Sequence, residues 1–230
     1  NDFLALKISY INEIANFCEI VGADIEEVAC GMGMDRRIGS NFLKAGIGYG
    51  GSCFPKDTKA LNFQSDHAGV KLKTVKATID VNREQRTRLI DKARRFFPTF
   101  RDVRVAIIGL TFKPGTDDLR EAPAKQNIDI LLNEGADIIA WDPLGAENFR
   151  KRYPNCAINF AKDIDEALTD ADVCLIMTEW EKIVEYPLDN YKKYMRRPLV
   201  FDGRNCYKLS EVEKHEIFYD SIGRKIVDTL

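Results

Sequence analysis

The sequence predicts an α/β protein in two parts, an all-helical front followed by a parallel-sheet rear. Three observations carry that prediction. Apolar residues of the front recur at three- and four-residue steps, the helical period. From residue 103 onward, short β-branched runs alternate with helical stretches across short loops, as in parallel α/β sheets. A glycine-rich segment with neither period interrupts the front.

The first helix is read from Phe3, Leu4, Ile8, Ile11, Ala15, Cys18 and Val21, and Gly22 ends it. Asp24 with Glu27 gives a capping-box pattern that opens a second helix, Ile25 to about Cys30, stopped by Gly31 and Gly33. Residues 36–57, RRIGSNFLKAGIGYGGSCFPKD, hold five glycines. So much glycine implies tight turns and close backbone approach, and long ordered loops tend to be functional. A helix resumes at Asp57, with Leu61 and Phe63 inward. A longer one spans roughly Thr74 to Phe97, with NREQRTR as a solvated face or part of an interface. Pro98 ends it.

The rear begins with VRVAIIGL (103–110), a buried parallel strand by composition. A polar loop, TFKPGTDDLREAP, leads into a helix from Ala124 to Asn133. Strand DIIAWDP, strand CAINF, helix DIDEALTDA, strand DVCLIMT and a last strand, PLVFDGRN, follow. The boundary between the parts falls near Phe97–Arg101, giving domains 1–98 and 99–230.

Composition narrows the function. The 230 residues carry 34 Lys+Arg against 36 Asp+Glu, a formal net charge of -2. That balance gives no global reason to expect nucleic acid or an anionic membrane as partner. No run approaches the ~20 apolar residues of a bilayer span, and NDFLALKISYINEI has none of the parts of a signal peptide. The six cysteines are scattered, without a CxxC, and His67 and His215 stand alone. The sequence therefore predicts no metal site, reduced thiols and a cytoplasmic protein.

Gly46-Ile47-Gly48-Tyr49-Gly50-Gly51 matches the dinucleotide pattern GxGxxG, but no buried strand precedes it, so that reading is rejected. Gly109 after VRVAII sits at a Rossmann-like first turn without the pyrophosphate spacing. Lys113, Arg120 and Arg204 fall at carboxyl ends of strands, where open α/β sheets bind ligands. Three cations there predict a phosphate or diphosphate. Cys53 is the sharpest feature. It lies in the glycine-rich loop near a helix entry at Pro55, with Lys56 and Asp57 close behind. Thiols react as thiolates, which cations and helix N-termini favour. A carboxylate one turn on can activate water against a covalent adduct. The other five cysteines read as core or incidental.

The segment GYGGSCFPKD resembles the active-site segment of the UDP-glucose/GDP-mannose dehydrogenase family. NDFLALKISYINE, GADIEEV, GMDRRIGSNFLKAG, AIIGLTFKPGTDDLREAP and VFDGRN agree along the whole chain, and the wording FPKD and FLKAG favours UDP-glucose as substrate. The resemblance implies a central helical dimerisation region followed by a Rossmann-like, parallel-sheet UDP-binding domain. It implies NAD as cofactor, a homodimer, and two-step oxidation of UDP-glucose to UDP-glucuronate through a cysteine thiohemiacetal and thioester. By the same resemblance, Cys53 is the nucleophile, Asp57 the carboxylate that activates the hydrolytic water, and Asn1 an oxyanion-steadying residue. Phe42, Leu43, Lys44, Ala45, Gly46 and Gly50 match the sugar-nucleotide loop. Lys113 and Arg204 match cations on the UDP-sugar, and Arg37 an arginine reaching the partner subunit's substrate. Lys56 and Arg120 match residues near NAD. The family's N-terminal NAD-binding domain and its catalytic lysine have no counterpart here. The chain thus reads as a C-terminal portion, expected to bind UDP-sugar weakly, if at all, and not to turn over. The alternatives are a non-catalytic sugar-nucleotide-binding or dimerisation module, or a dehydrogenase for GDP-mannose or a UDP-N-acetylhexosamine.

Overall fold

The computed structural model describes residues 1–230. Helix α1 (Asp2–Val21) ends where Gly22 takes φ 76 and its N–H returns to the Cys18 carbonyl. A residue without Cβ adopts that left-handed cap at no steric cost. The buried side of α1 is Ala5, Ser9, Ile11, Asn12, Ala15 and Cys18. Phe3 and Val21, expected inward, are exposed. Asp24 caps α2 (Ile25–Gly33) by accepting from the Glu26 N–H, one residue short of the capping-box geometry, and α2 runs on through Gly31.

Two further helices differ from expectation. α3 (Cys53–His67) starts four residues before Asp57, so Cys53 is itself in the first turn. Pro55 sits in that turn, where its missing N–H is not needed. Phe63, expected inward, is 72% exposed, and Pro55, Thr58 and Ser65 are buried instead. The expected long helix is two, α4 (Lys73–Gln85) and α5 (Arg88–Ala93). The break is at Arg86, whose carbonyl accepts from the Asn127 side chain at 2.8 Å.

The rear holds β1 (Arg104–Ile108), α6 (Pro123–Asn133), β2 (Asp137–Trp141), α7 (Gly145–Arg152), β3 (Asn159–Phe160), α8 (Ile164–Leu168) and β4 (Val173–Ile176). It continues through α9 (Glu181–Val184), α10 (Asp189–Tyr194), β5 (Leu199–Asp202), α11 (Leu209–Val212), β6 (Phe218–Ser221) and β7 (Val227–Asp228). The seven strands lie in the order β3-β2-β1-β4-β5-β6-β7. All neighbours pair parallel except β6 with β7. PLVFDGRN is therefore not the last strand. β6 was hidden by Asp220 in its middle, a carboxylate that Lys92 and Arg95 neutralise at 2.8 and 2.9 Å.

Strand alternation divides the core between two faces. Val105, Ile107, Leu175 and Phe201 pack with Ile11, Ala15, Ile47, Leu89 and Ile90 of the front in one cluster of 28 buried residues. Ala106, Ile108, Cys174, Ile176 and Val200 face a second cluster with Tyr191, Tyr207 and Tyr219. Each fully buried Val, Leu, Ile or Phe among them stabilises the fold by about 1.5–3 kcal/mol. The helical front thus lies on one face of the sheet and brings its glycine-rich loop to the carboxyl ends of the strands. The strand order reverses between β1 and β4, opening a crevice at those ends.

Candidate active site

The glycine-rich loop is held by polar side chains of α1 and of the C-terminal end of α4. Asn12 of α1 accepts from the Gly46 N–H at 2.8 Å, and Gln85 of α4 donates to the Gly46 carbonyl at 2.8 Å. Asn82 accepts from the Tyr49 N–H at 2.8 Å and donates to the Tyr49 carbonyl at 3.2 Å. Arg86 donates to the same carbonyl at 3.2 Å. Asn82 and Gln85 are 5% and 2% exposed. NREQRTR is therefore only in part a solvated face: Arg83 and Glu84 are exposed, Asn82 and Gln85 are not. Its inward residues complete the backbone hydrogen bonds of a loop that has no secondary structure to do so.

Glycines set how close this loop comes to the sheet. A Cβ on Gly46 would lie 2.8 Å from the Gly203 carbonyl oxygen, and one on Gly50 2.4 Å from that of Glu121. At the crevice, Gly109 has φ +95 and a Cβ there would strike Thr178 at 2.6 Å. Phe42, a bulky residue at φ 65, holds a costly backbone conformation. Its ring meets that of Phe54 edge-on at 6.0 Å.

Loop and sheet enclose a cleft of about 330 Å³ lined by Phe42, Lys44, Ala45, Gly50, Phe54, Phe112, Lys113, Glu179 and Arg204, among others. Asp202, fully buried at the end of β5, accepts from the Arg204 and Cys206 N–H groups at 2.7 Å each and from the Tyr219 hydroxyl at 2.6 Å. The turn so formed sends the Arg204 side chain into the cleft. There its Nε donates to the Met177 carbonyl at 2.9 Å and its Nη1 to the Gly48 carbonyl at 3.0 Å. Its Nη2 is buried without a hydrogen-bond partner, while the Glu179 carboxylate lies 3.5 Å from its Nε. A buried guanidinium nitrogen left unpaired is costly, and an anionic oxygen would satisfy it.

Cys53 precedes Phe54 of the cleft wall and is exposed. Asp57, one helical turn on, accepts from the Asn1 side chain, and Lys56 lies 3.5 Å from its other oxygen. The Asn1 hydrogen bond, with Lys56 adding to it, holds the Asp57 carboxyl below the usual range. Asp57 is thus ionised at neutral pH, able to accept a proton but a weaker base than an unperturbed carboxylate. Burial pushes the Cys18, Cys156, Cys174 and Cys206 thiols up. Cys30, expected to be core or incidental, is exposed.

Cys53, Asp57 and Asn1 come together, and so do Phe42, Lys44, Ala45, Gly50, Lys113 and Arg204. Leu43 and Gly46 are buried and shape the loop without lining the cleft. Arg37 stands apart, in a groove with Phe3, Tyr10 and Ile38, paired to Asp35. Arg120 does not share the cleft with Lys113 and Arg204. It forms a bidentate pair with Asp118, which raises its pKa. Lys56 is exposed beside Asp57. The residues missed are Asn12, Asn82, Gln85, Asp202 and Glu179. Asn12 had a signal, since a polar residue between Ile11 and Ala15 interrupts an apolar stripe.

The residues present do not form a dinucleotide cradle. Gly109 closes on Thr178. Asp142, at the end of β2, is spent on the chain's own donors: the N–H groups of Leu110, Thr111, Leu144 and Gly145, the Thr111 hydroxyl and the Trp180 indole. Lys56 and Arg120 are left as rim residues.

The sheet order and the crevice with cations at its mouth are the arrangement in which open α/β proteins bind ligands. Residues 1–84 match the central domain of the UDP-glucose/GDP-mannose dehydrogenase family, and residues 106–209 its UDP binding domain. The chain belongs to this family. It is 48% identical over 227 residues to the UDP-glucose 6-dehydrogenase YwqF of Bacillus subtilis (strain 168), covering 99% of this chain and 51% of that protein. The UDP-glucose 6-dehydrogenase of Rhizobium meliloti (strain 1021) is 44% identical over 225 residues, covering 97% and 51%. A solved UDP-glucose dehydrogenase from the hyperthermophilic archaeon Pyrobaculum islandicum has the same fold, with TM-score 0.86 and 30% identity over 98% of this chain and 49% of that one. The chain spans about half the length of the curated relatives it matches. No helix is long and apolar enough to cross a membrane.

Proposed function

We propose that this chain supplies the UDP-sugar site and the covalent machinery of an NAD-dependent UDP-glucose 6-dehydrogenase of the cytoplasm. The observation that carries the reading is the unpartnered Arg204 nitrogen in a cleft that also holds Lys44 and Lys113, beside an exposed cysteine. Cationic donors converging on one small cleft suit a diphosphate, and the edge-on Phe42 and Phe54 rings wall the sugar side.

The chemistry follows from the residues. The Cys53 sulfur adds to the carbonyl carbon of a C6 aldehyde, forming a C–S bond, and the carbonyl oxygen takes the proton. Asn1 donates to that oxygen or to Asp57. Loss of the C6 hydride together with the hydroxyl proton, the latter to solvent, would turn this thiohemiacetal into a thioester; NAD, when bound, would supply the hydride acceptor. No cradle for NAD is built from these residues, so that transfer is not assigned to any of them. Ionised Asp57 accepts a proton from water as the water attacks the thioester, releasing a carboxylate and the Cys53 thiol.

Copies of the chain pair through α1, whose outer face exposes Phe3, Tyr10 and Phe17 at seven-residue spacing together with Ile20. Arg37 then lies beside that face, placed to reach across.

Titration of the chain with UDP-glucose, followed by amide chemical shifts, tests the reading. UDP-glucose is expected to shift the Gly46–Phe54 and Lys113 amides, and Arg204→Met to weaken binding at least roughly tenfold, the loss of a charge-assisted pair. Tighter binding of GDP-mannose, or an unchanged Arg204→Met, refutes it.

A further inference from the structure

We infer that Glu121 is a positioning residue, which sets the cysteine-bearing end of α3 against the loop that carries Lys113 and Arg120. The inference rests on the reading of Cys53 as nucleophile, although its geometry stands independently. Glu121 lies in the 109–122 loop at φ 52, a left-handed conformation uncommon for a residue with a side chain. One carboxylate oxygen accepts from Lys59 of α3 at 2.7 Å, and the other from Arg86, just past α4, at 2.8 Å. Arg86 is the residue that also donates to the Tyr49 carbonyl.

The backbone around Glu121 grips the glycine loop as well. The Gly51 N–H donates to the Arg120 carbonyl at 2.8 Å. Gly50 passes so close that a Cβ would sit 2.4 Å from the Glu121 carbonyl oxygen, and a Cβ on Gly51 would lie 2.9 Å from the Phe112 ring. Only Ser52 separates Gly51 from Cys53. The 109–122 loop therefore meets the front at three places: α3 through Lys59, the end of α4 through Arg86, and the approach to Cys53 through Gly50 and Gly51. Glu121 alone joins all three. Its carboxylate touches neither the cleft lining nor Cys53, so it acts through the backbone it holds. The pair to Arg86 is the more sheltered, since that side chain is 13% exposed against 57% for Lys59.

The test uses the 230-residue chain and two readouts, hydrogen exchange of the Gly46–Phe54 amides and the rate at which iodoacetamide alkylates Cys53, with exposed Cys30 as internal reference. Glu121→Gln keeps the shape and removes the charge. It is expected to speed Gly51 exchange roughly five- to tenfold, as two partly exposed pairs weaken. The Cys53:Cys30 alkylation ratio should change at least roughly twofold, while exchange in β1 and β4 stays as in the wild type. Lys59→Met, on the solvent side of α3, opens one arm without disturbing the core and is expected to move both readouts the same way by less. Unchanged Gly51 exchange and alkylation ratio in both variants overturn the inference. So does equal acceleration throughout β1 and β4, which would make Glu121 a residue of general stability. Tighter binding of GDP-mannose than of UDP-glucose by the wild type would refute the proposed function and leave these readouts to decide the role of Glu121.

Discussion

Replacing Asn82 by alanine isolates how the front holds the loop over the cleft. The side chain is 5% exposed and makes two hydrogen bonds to one residue, accepting from the Tyr49 N–H at 2.8 Å and donating to the Tyr49 carbonyl at 3.2 Å. Each bond contributes a net of about 1 kcal/mol. The carbonyl keeps Arg86 at 3.2 Å, but the Tyr49 N–H is left buried and unpaired, a penalty of about 1–3 kcal/mol. Asn82→Ala is thus expected to destabilise the chain by about 2–4 kcal/mol. With a urea m-value of about 2–3 kcal/mol/M, the unfolding midpoint falls by about 1 M. Gly48, whose carbonyl accepts from Arg204, adjoins the freed segment. An unpinned loop must be ordered on binding, so UDP-glucose affinity should fall as well, tenfold for each ~1.4 kcal/mol of that cost. Glu84→Ala, on the exposed side of the same helix, controls for helix propensity and should stay within about 0.5 kcal/mol of wild type. Asn82→Ala within the same margin would refute the reasoning.

The remaining predictions concern the crevice and the joint between front and sheet. Gly109→Ala combines φ +95 with contact to Thr178 at 2.6 Å, and should cost about 2–4 kcal/mol in urea unfolding; a loss below about 1 kcal/mol would contradict it. Burial alone would raise the Glu19 carboxyl, but Lys92, the Gly223 N–H and Arg88 outweigh it and hold its pKa below the usual glutamate range. A carboxyl depressed on folding contributes stability that is present above its unfolded pKa, ~4.3, and lost as pH falls through its folded value. Glu19→Gln should therefore flatten the decline of Tm on acidification below about pH 4.3; an unchanged slope speaks against the assignment.

The fold class was legible because its strongest elements repeat one period for long enough. β1, β4 and β5 are buried almost throughout, as their continuous apolar runs indicate, α1 buries Ile11, Ala15 and Cys18 of its predicted stripe, and Gly22 caps α1 as a glycine at that position should. Errors arose where tertiary contacts override local pattern. Asn127 takes the Arg86 carbonyl and divides one expected helix into two. Asp220 reads as a loop residue until Lys92 and Arg95 arrive from the front. Phe63 reads as core until the interior of α3 proves to be Pro55, Thr58 and Ser65. The site divides the same way. Cys53, Asp57, Lys113 and Arg204 carry recognisable chemistry in recognisable places. Asn82, Gln85, Asp202 and Glu121 act only by whom they bond, and their partners lie 33 or more residues away or in a turn whose shape the sequence does not spell out.

The central claim places a UDP-sugar in the cleft beside Cys53. The chain itself provides the control, because Cys30 is equally a free, exposed thiol on another helix. Alkylation of both by iodoacetamide, followed by peptide mass spectrometry, is measured with and without excess UDP-glucose. UDP-glucose is predicted to slow modification of Cys53 and leave Cys30 unchanged. Equal rates at Cys53 with and without UDP-glucose would contradict the account.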